Sequence, residues 1–152
     1  LEIGTYTGYS ALCIAESLPE KGLLHTIEID DELEDFILEN FHKSPFADKI
    51  ILHIGKALEI IPTLNDTFDL VFMDADKREY WDYFETVLPK VKQGGFIIAD
   101  NTLWDGKVLE KVHPNDKQTL EIIRFNDLIT KDDRVERVIL PIRDGLTIIR
   151  KL

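Results

Sequence analysis

The chain has 152 residues, 44% of them apolar and 31% charged, which suits one domain with a proper core and a water-facing surface. Lys and Arg number 18 against 29 Asp and Glu, a formal charge of −11, which argues against a broad phosphate-binding face. No apolar run approaches the roughly 20 residues of a membrane span. Cys13 is the only cysteine, so an intrachain disulfide framework is excluded and a cytoplasmic home is expected.

The chain opens Leu1-Glu2-Ile3-Gly4-Thr5-Tyr6-Thr7-Gly8-Tyr9-Ser10, without a Met. A central strand runs about 5–6 residues, and so few precede the glycine turn that an earlier N-terminal segment is expected. Ser10 to Leu18 has helical spacing and stops at Pro19 and Gly22. Cys13, among Ala11, Leu12, Ile14 and Ala15, reads as a buried thiol. Leu23 to Ile29 is a second strand. Asp31 is expected to cap the next helix, whose apolar face is Leu33, Phe36, Ile37 and Phe41. Ile50 to Ile54 is a third strand, and Gly55 to Ile61 turns into a short helix closed by Pro62.

Leu70 to Met73 is an apolar run that reads as a buried parallel strand, ending in Asp74 with Asp76 and Lys77 beyond. Gly95 to Ala99 ends the same way, in Asp100-Asn101. Tyr80 to Leu88, between them, is helical, with Tyr80, Tyr83 and Phe84 as core. Strand, helix, strand makes a parallel crossover, so both strand ends face one sheet edge. Neighbouring strands lie roughly 5 Å apart. Two carboxylates and an amide oxygen then converge, an oxygen set suited to Mg²⁺ or Ca²⁺.

Thr102 to Pro114 is a polar loop containing Trp104, either loop packing or a wall for a planar ligand. Lys117 to Ile129 is helical, with Leu120, Ile123 and Leu128 inward. Val135 to Leu140 and Leu146 to Ile149 are strands joined through Asp144-Gly145, a tight reversal that makes them antiparallel. The pattern βαβαβαβαβαββ is an α/β doubly wound sheet of seven strands ending in an antiparallel hairpin, one domain over residues 1–152. His25, His42, His53 and His113 show no ligand or triad spacing.

Gly4 and Gly8 lie at a strand-to-helix turn, and Glu28 ends the second strand 20 residues after Gly8. An acid there holds a ribose hydroxyl pair in doubly wound folds. The GxxxG spacing differs from the GxGxxG of dinucleotide sites. Glu2 and the acidic surroundings favour a cationic ligand over a pyrophosphate.

Glu2-Ile3-Gly4-Thr5-Tyr6-Thr7-Gly8-Tyr9-Ser10 resembles the first motif of the cation-dependent O-methyltransferases of the catechol and caffeoyl-coenzyme A type. Asp74-Ala75-Asp76-Lys77, Asp100-Asn101-Thr102-Leu103-Trp104 and Leu140-Pro141-Ile142-Arg143-Asp144-Gly145-Leu146 resemble that family in the same order. The resemblance implies a Rossmann-like methyltransferase sheet and S-adenosylmethionine (SAM) as methyl donor. It places Glu2, Gly4, Thr5 and Ser10 near the methionine part, Glu28 at the ribose and Ala57 beside the adenine. Asp76 falls at a further cofactor contact. The cation would take Asp74, Asp100 and Asn101, and Lys77 would be the general base. The family's N-terminal helices, which help build the substrate pocket and often the dimer, have no counterpart here; a homodimer is expected.

Two bland readings stand beside these: Asp76 as a helix cap and Lys77 as a solvated lysine. The expected activity is methyl transfer to a hydroxyl of a small, aromatic vicinal-diol acceptor. The same chemistry on 5-hydroxyuridine of tRNA is the alternative, and a non-methylating nucleotide-binding module is a third.

Overall fold

The computed structural model describes residues Leu1–Leu152, which form two compact units, Leu1–Leu64 and Asn65–Leu152. The seven strands make a mixed α/β sheet, three from the first unit in the order β3-β2-β1 and four from the second in the order β4-β5-β7-β6.

In the first unit β1 (Glu2–Ile3), β2 (Leu24–Glu28) and β3 (Ile50–Ile54) are parallel, with Ile3 opposite Ile27 and Glu28 opposite Ile54. α1 (Tyr9–Ser17) and α2 (Glu34–His42) follow the first two strands, and α3 (Ala57–Ile60) follows the third. Ala11, Leu24, Ile37 and Phe41 form the centre of this core, with Leu12, Ile14, Leu33 and Leu52 packed around it. Gly8 shows why the turn before α1 needs glycine. Its φ is +82°, and an added Cβ would meet Phe41 Cε1 at 2.6 Å.

Three expectations need correcting here. Cys13 is exposed, because α1 turns Ala11 and Ala15 inward and carries the thiol to the other side. The cap before α2 is Asp30, not Asp31: its carboxylate accepts from the Glu32 amide at 3.1 Å and starts a short 3₁₀ turn. Phe36 remains 49% exposed, while Ile37 and Phe41 carry the buried face of α2.

In the second unit β4 (Phe68–Met73) and β5 (Val91–Asp100) are parallel and joined through α4 (Tyr80–Val87). α5 (Lys117–Lys131) leads to β6 (Val135–Leu140) and β7 (Leu146–Lys151). β7 lies antiparallel to both β5 and β6, the second pairing being the one the Asp-Gly reversal requires. Tyr80, Phe84 and Phe125 form the aromatic centre of the core, Phe125 meeting both partners edge-on at 5.6 and 6.4 Å.

The inward face of α5 is Ile122, Phe125 and Ile129 in place of the expected Leu120, Ile123 and Leu128; Leu120 is 41% exposed. β4 buries Val71 and Met73 fully but leaves Leu70 38% exposed, so the apolar run is one-sided in part. β5 is longer than expected, and Asp100 is its last residue. No helix is long and apolar enough to cross a membrane.

Candidate active site

The glycine turn of the first unit is built on β1 and held by β2. The Gly4 amide donates to the Ile27 carbonyl at 2.9 Å, and the Gly8 amide to the Thr5 carbonyl at 2.9 Å. Tyr6 sits at φ +51°, a left-handed geometry that costs a non-glycine residue energy unless its surroundings impose it. The compensating contact is specific: the Tyr6 amide donates to Glu28 Oε2 at 2.7 Å. Glu28 Oε1 accepts from the Ile29 and Asp30 amides, both at 2.9 Å. The carboxylate at the tip of β2 is thus locked by three backbone donors, and Oε2, which accepts from the Tyr6 amide, keeps lone-pair capacity for a ligand hydroxyl.

Glu2 is completely buried in β1. The Thr26 hydroxyl donates to Glu2 Oε2 at 2.5 Å, and Thr26 and Thr5 share a hydrogen bond of 2.6 Å. A buried carboxylate beside a glycine turn suits a ligand carrying positive charge. Ser10 lies half-buried in the first turn of α1, and Ala57 is buried at the start of α3. The first unit therefore gathers Glu2, Gly4, Thr5 and Glu28 around one turn.

The second unit builds its site on two strand ends. Met73 is registered opposite Ala99, so Asp74 and Asp100 are the next residues on the two neighbouring parallel strands. Asp74 is open to solvent, and Asp100 and Asn101 are half-buried. The Asp100 carboxylate accepts from the Asn101 amide at 2.7 Å, and Asn101 adopts φ +58°. Two carboxylates and an amide at adjacent strand tips fit a hard divalent cation by donor type.

Lys77 is 5% exposed, and its Nζ donates to Asp74 Oδ1 at 2.9 Å. Burial pushes the ammonium below the ordinary lysine value; the hydrogen bond and charge of Asp74, and the charges of Asp100 and Asp144, oppose that shift. A solvated lysine is excluded by this burial. The fall in basicity has burial as its main cause.

Asp76 does cap the turn that carries Lys77: its carboxylate accepts from the Arg78 amide at 2.9 Å. The Arg78 guanidinium also clasps it and holds the carboxyl below the usual range. Trp104 is half-buried, with Lys107 Nζ 5.9 Å from its ring. The loop carrying it is clasped by the β6–β7 turn, where the Leu103 amide donates to the Asp144 carbonyl at 2.9 Å. A hollow of about 470 Å³ lies beside this clasp, lined by Leu103, Val108, Leu109, Arg143 and Asp144 among others.

The sequence reading missed Tyr80 as more than core. Its hydroxyl accepts from Lys77 Nζ. The spacing of three residues between Lys77 and Tyr80 was the available signal, since such pairs share a helix face.

The O-methyltransferase family profile matches residues 1–152. The chain belongs to this family. It is 40% identical over 166 residues to caffeoyl-CoA O-methyltransferase 1 of Zea mays, an alignment covering 100% of this chain and 63% of the relative. With caffeoyl-CoA O-methyltransferase 1 of Arabidopsis thaliana the figures are 36%, 100% and 63%. The chain thus spans less than two thirds of the length of these curated relatives. Among solved structures, the O-methyltransferase TomG from Streptomyces achromogenes, in complex with SAM, superposes with a TM-score of 0.91 at 30% identity, covering 99% of this chain and 71% of that one. The O-methyltransferase from Bacillus cereus, in complex with SAH, gives 0.91 at 29%, covering 99% and 72%. The seven-stranded α/β sheet with an antiparallel final strand is the fold this O-methyltransferase family member shares with those structures.

Proposed function

We propose that this chain forms the catalytic core of a SAM-dependent O-methyltransferase acting on a small aromatic acceptor with two neighbouring hydroxyls, assisted by Mg²⁺ or Ca²⁺. The observation that carries the reading is Lys77: a nearly inaccessible amine paired with Asp74 at 2.9 Å, beside the paired ends of β4 and β5. Burying a lysine is costly, and it is the usual way a protein prepares an amine to take a proton near neutral pH.

In this reading Glu2, Gly4, Thr5 and Ser10 hold the methionine part of SAM, Glu28 takes the ribose hydroxyls through Oε2, and Ala57 lies beside the adenine. Asp76 adds a contact to the cofactor while capping its turn. Asp74, Asp100 and Asn101 hold the cation. When bound, these groups supply an electrophilic methyl carbon and a positive charge that acidifies and orients a coordinated hydroxyl. Lys77 Nζ, as the free amine, takes the acceptor's hydroxyl proton and becomes the ammonium. Methyl transfer from bound SAM to the ionised oxygen would then depend on how rigidly these residues position the two partners. Asp74 keeps Lys77 in place throughout.

Transfer of labelled methyl from SAM to catechol, with chelator and then with added Mg²⁺, tests the proposal. Chelation should abolish transfer and Mg²⁺ restore it. Undiminished transfer without cation would reject the metal role, and absence of SAM binding in calorimetry would reject the whole.

A further inference from the structure

Tyr80 is fully buried, with its ring packed edge-on against Phe125 at 5.6 Å. A phenylalanine would serve that packing equally, so the hydroxyl needs its own explanation. Its Oη donates to the Asp100 carbonyl at 2.8 Å and lies 3.2 Å from the Met73 carbonyl. These are the last residues of β5 and β4. The same oxygen accepts from Lys77 Nζ, which lies 4.6 Å from the ring centroid. One phenol oxygen therefore ties the lysine to both strand ends. A neutral amine has two hydrogens and one lone pair. Asp74 and Tyr80 take the two hydrogens, which leaves the lone pair as the only direction from which Nζ can receive a proton.

We infer that Tyr80 is a positioning residue for methyl transfer, acting through Lys77 by fixing the direction of that lone pair. The inference rests on the proposed function, with Lys77 as base. Buried hydrogen-bonded networks of this kind set geometry as well as stability, and a misplacement of about 1 Å in a reacting group can cost about 10²-fold in rate.

The test compares wild type, Tyr80→Phe, Lys77→Ala, the double variant and Tyr83→Phe, each assayed for kcat, KM and urea midpoint. Tyr83 lies on the same helix, but its hydroxyl goes to Glu79 at 2.6 Å. Wild-type turnover decides the proposed function before any variant is compared. Given turnover, Tyr80→Phe should lower kcat by roughly 10²-fold with KM for SAM within about twofold. Tyr83→Phe should keep wild-type kcat, and the double variant should be no slower than Lys77→Ala. Losses that multiply in the double variant, or equal losses in the two tyrosine variants, would overturn the inference.

Discussion

Lys77 Nζ and Asp74 Oδ1 stand 2.9 Å apart with unequal surroundings: the lysine side chain is 7% exposed and the aspartate 44%. The amine is committed to the interior, while the carboxylate keeps a solvent-facing side for a further ligand. A surface ion pair would have both partners open and contribute little.

This asymmetry sets a pH dependence. Burial holds Lys77 below its ordinary value of 10.5. The proposed base acts as the free amine, so kcat/KM should rise with pH through a midpoint below 10.5, and that limb should vanish in Lys77→Met. The linkage has the same sign. Between the folded and unfolded values the unfolded chain binds more protons, so stability should rise with pH there, with the cost of the buried charge fully present below the folded value. Urea midpoints measured from neutral to alkaline pH check this.

Replacing either strand-tip acid should affect methyl transfer and SAM binding differently. Asp74→Ala or Asp100→Ala should reduce transfer by on the order of 10²–10³-fold, the rate equivalent of several kcal/mol of cation assistance. SAM affinity should stay within a few-fold of wild type, because the proposed SAM-holding residues Glu2, Gly4, Thr5 and Glu28 belong to β1, β2 and the glycine turn. Isothermal calorimetry beside activity would show it; equal loss of both would contradict the assignment.

Glu28→Gln should weaken SAM binding by about tenfold or more, the value of one charge-assisted hydrogen bond. It should also lower the melting temperature. The side-chain NH₂ of the glutamine, a donor, must face either the Tyr6 amide or the pair from Ile29 and Asp30, all donors themselves. Calorimetry and thermal melts read the two effects separately.

Gly8→Ala should destabilise the chain by about 1–3 kcal/mol through overpacking, on top of the left-handed backbone cost. Its Cβ would meet Phe41 Cε1 at 2.6 Å, while φ is +82°. Phe41→Leu in the same chain should recover the steric part only, measurable by denaturant titration.

Sequence alone determined the kinds of elements and the edge at which the acids gather. Apolar period separates strand from helix, Asp144-Gly145 forces the hairpin, and a parallel crossover must bring Asp74 and Asp100 to the same edge, because its two strands run in the same direction. Tertiary structure decided what depends on docking. The face that α5 turns inward, Ile122 and Phe125 instead of Leu120 and Ile123, is set by how the helix seats on its neighbours, which periodicity alone does not fix. The exposure of Cys13 and the burial of Lys77 follow from the same kind of seating. The reach of the Tyr80 hydroxyl to two strand-end carbonyls needs three separated segments in one place, a relationship no local pattern encodes.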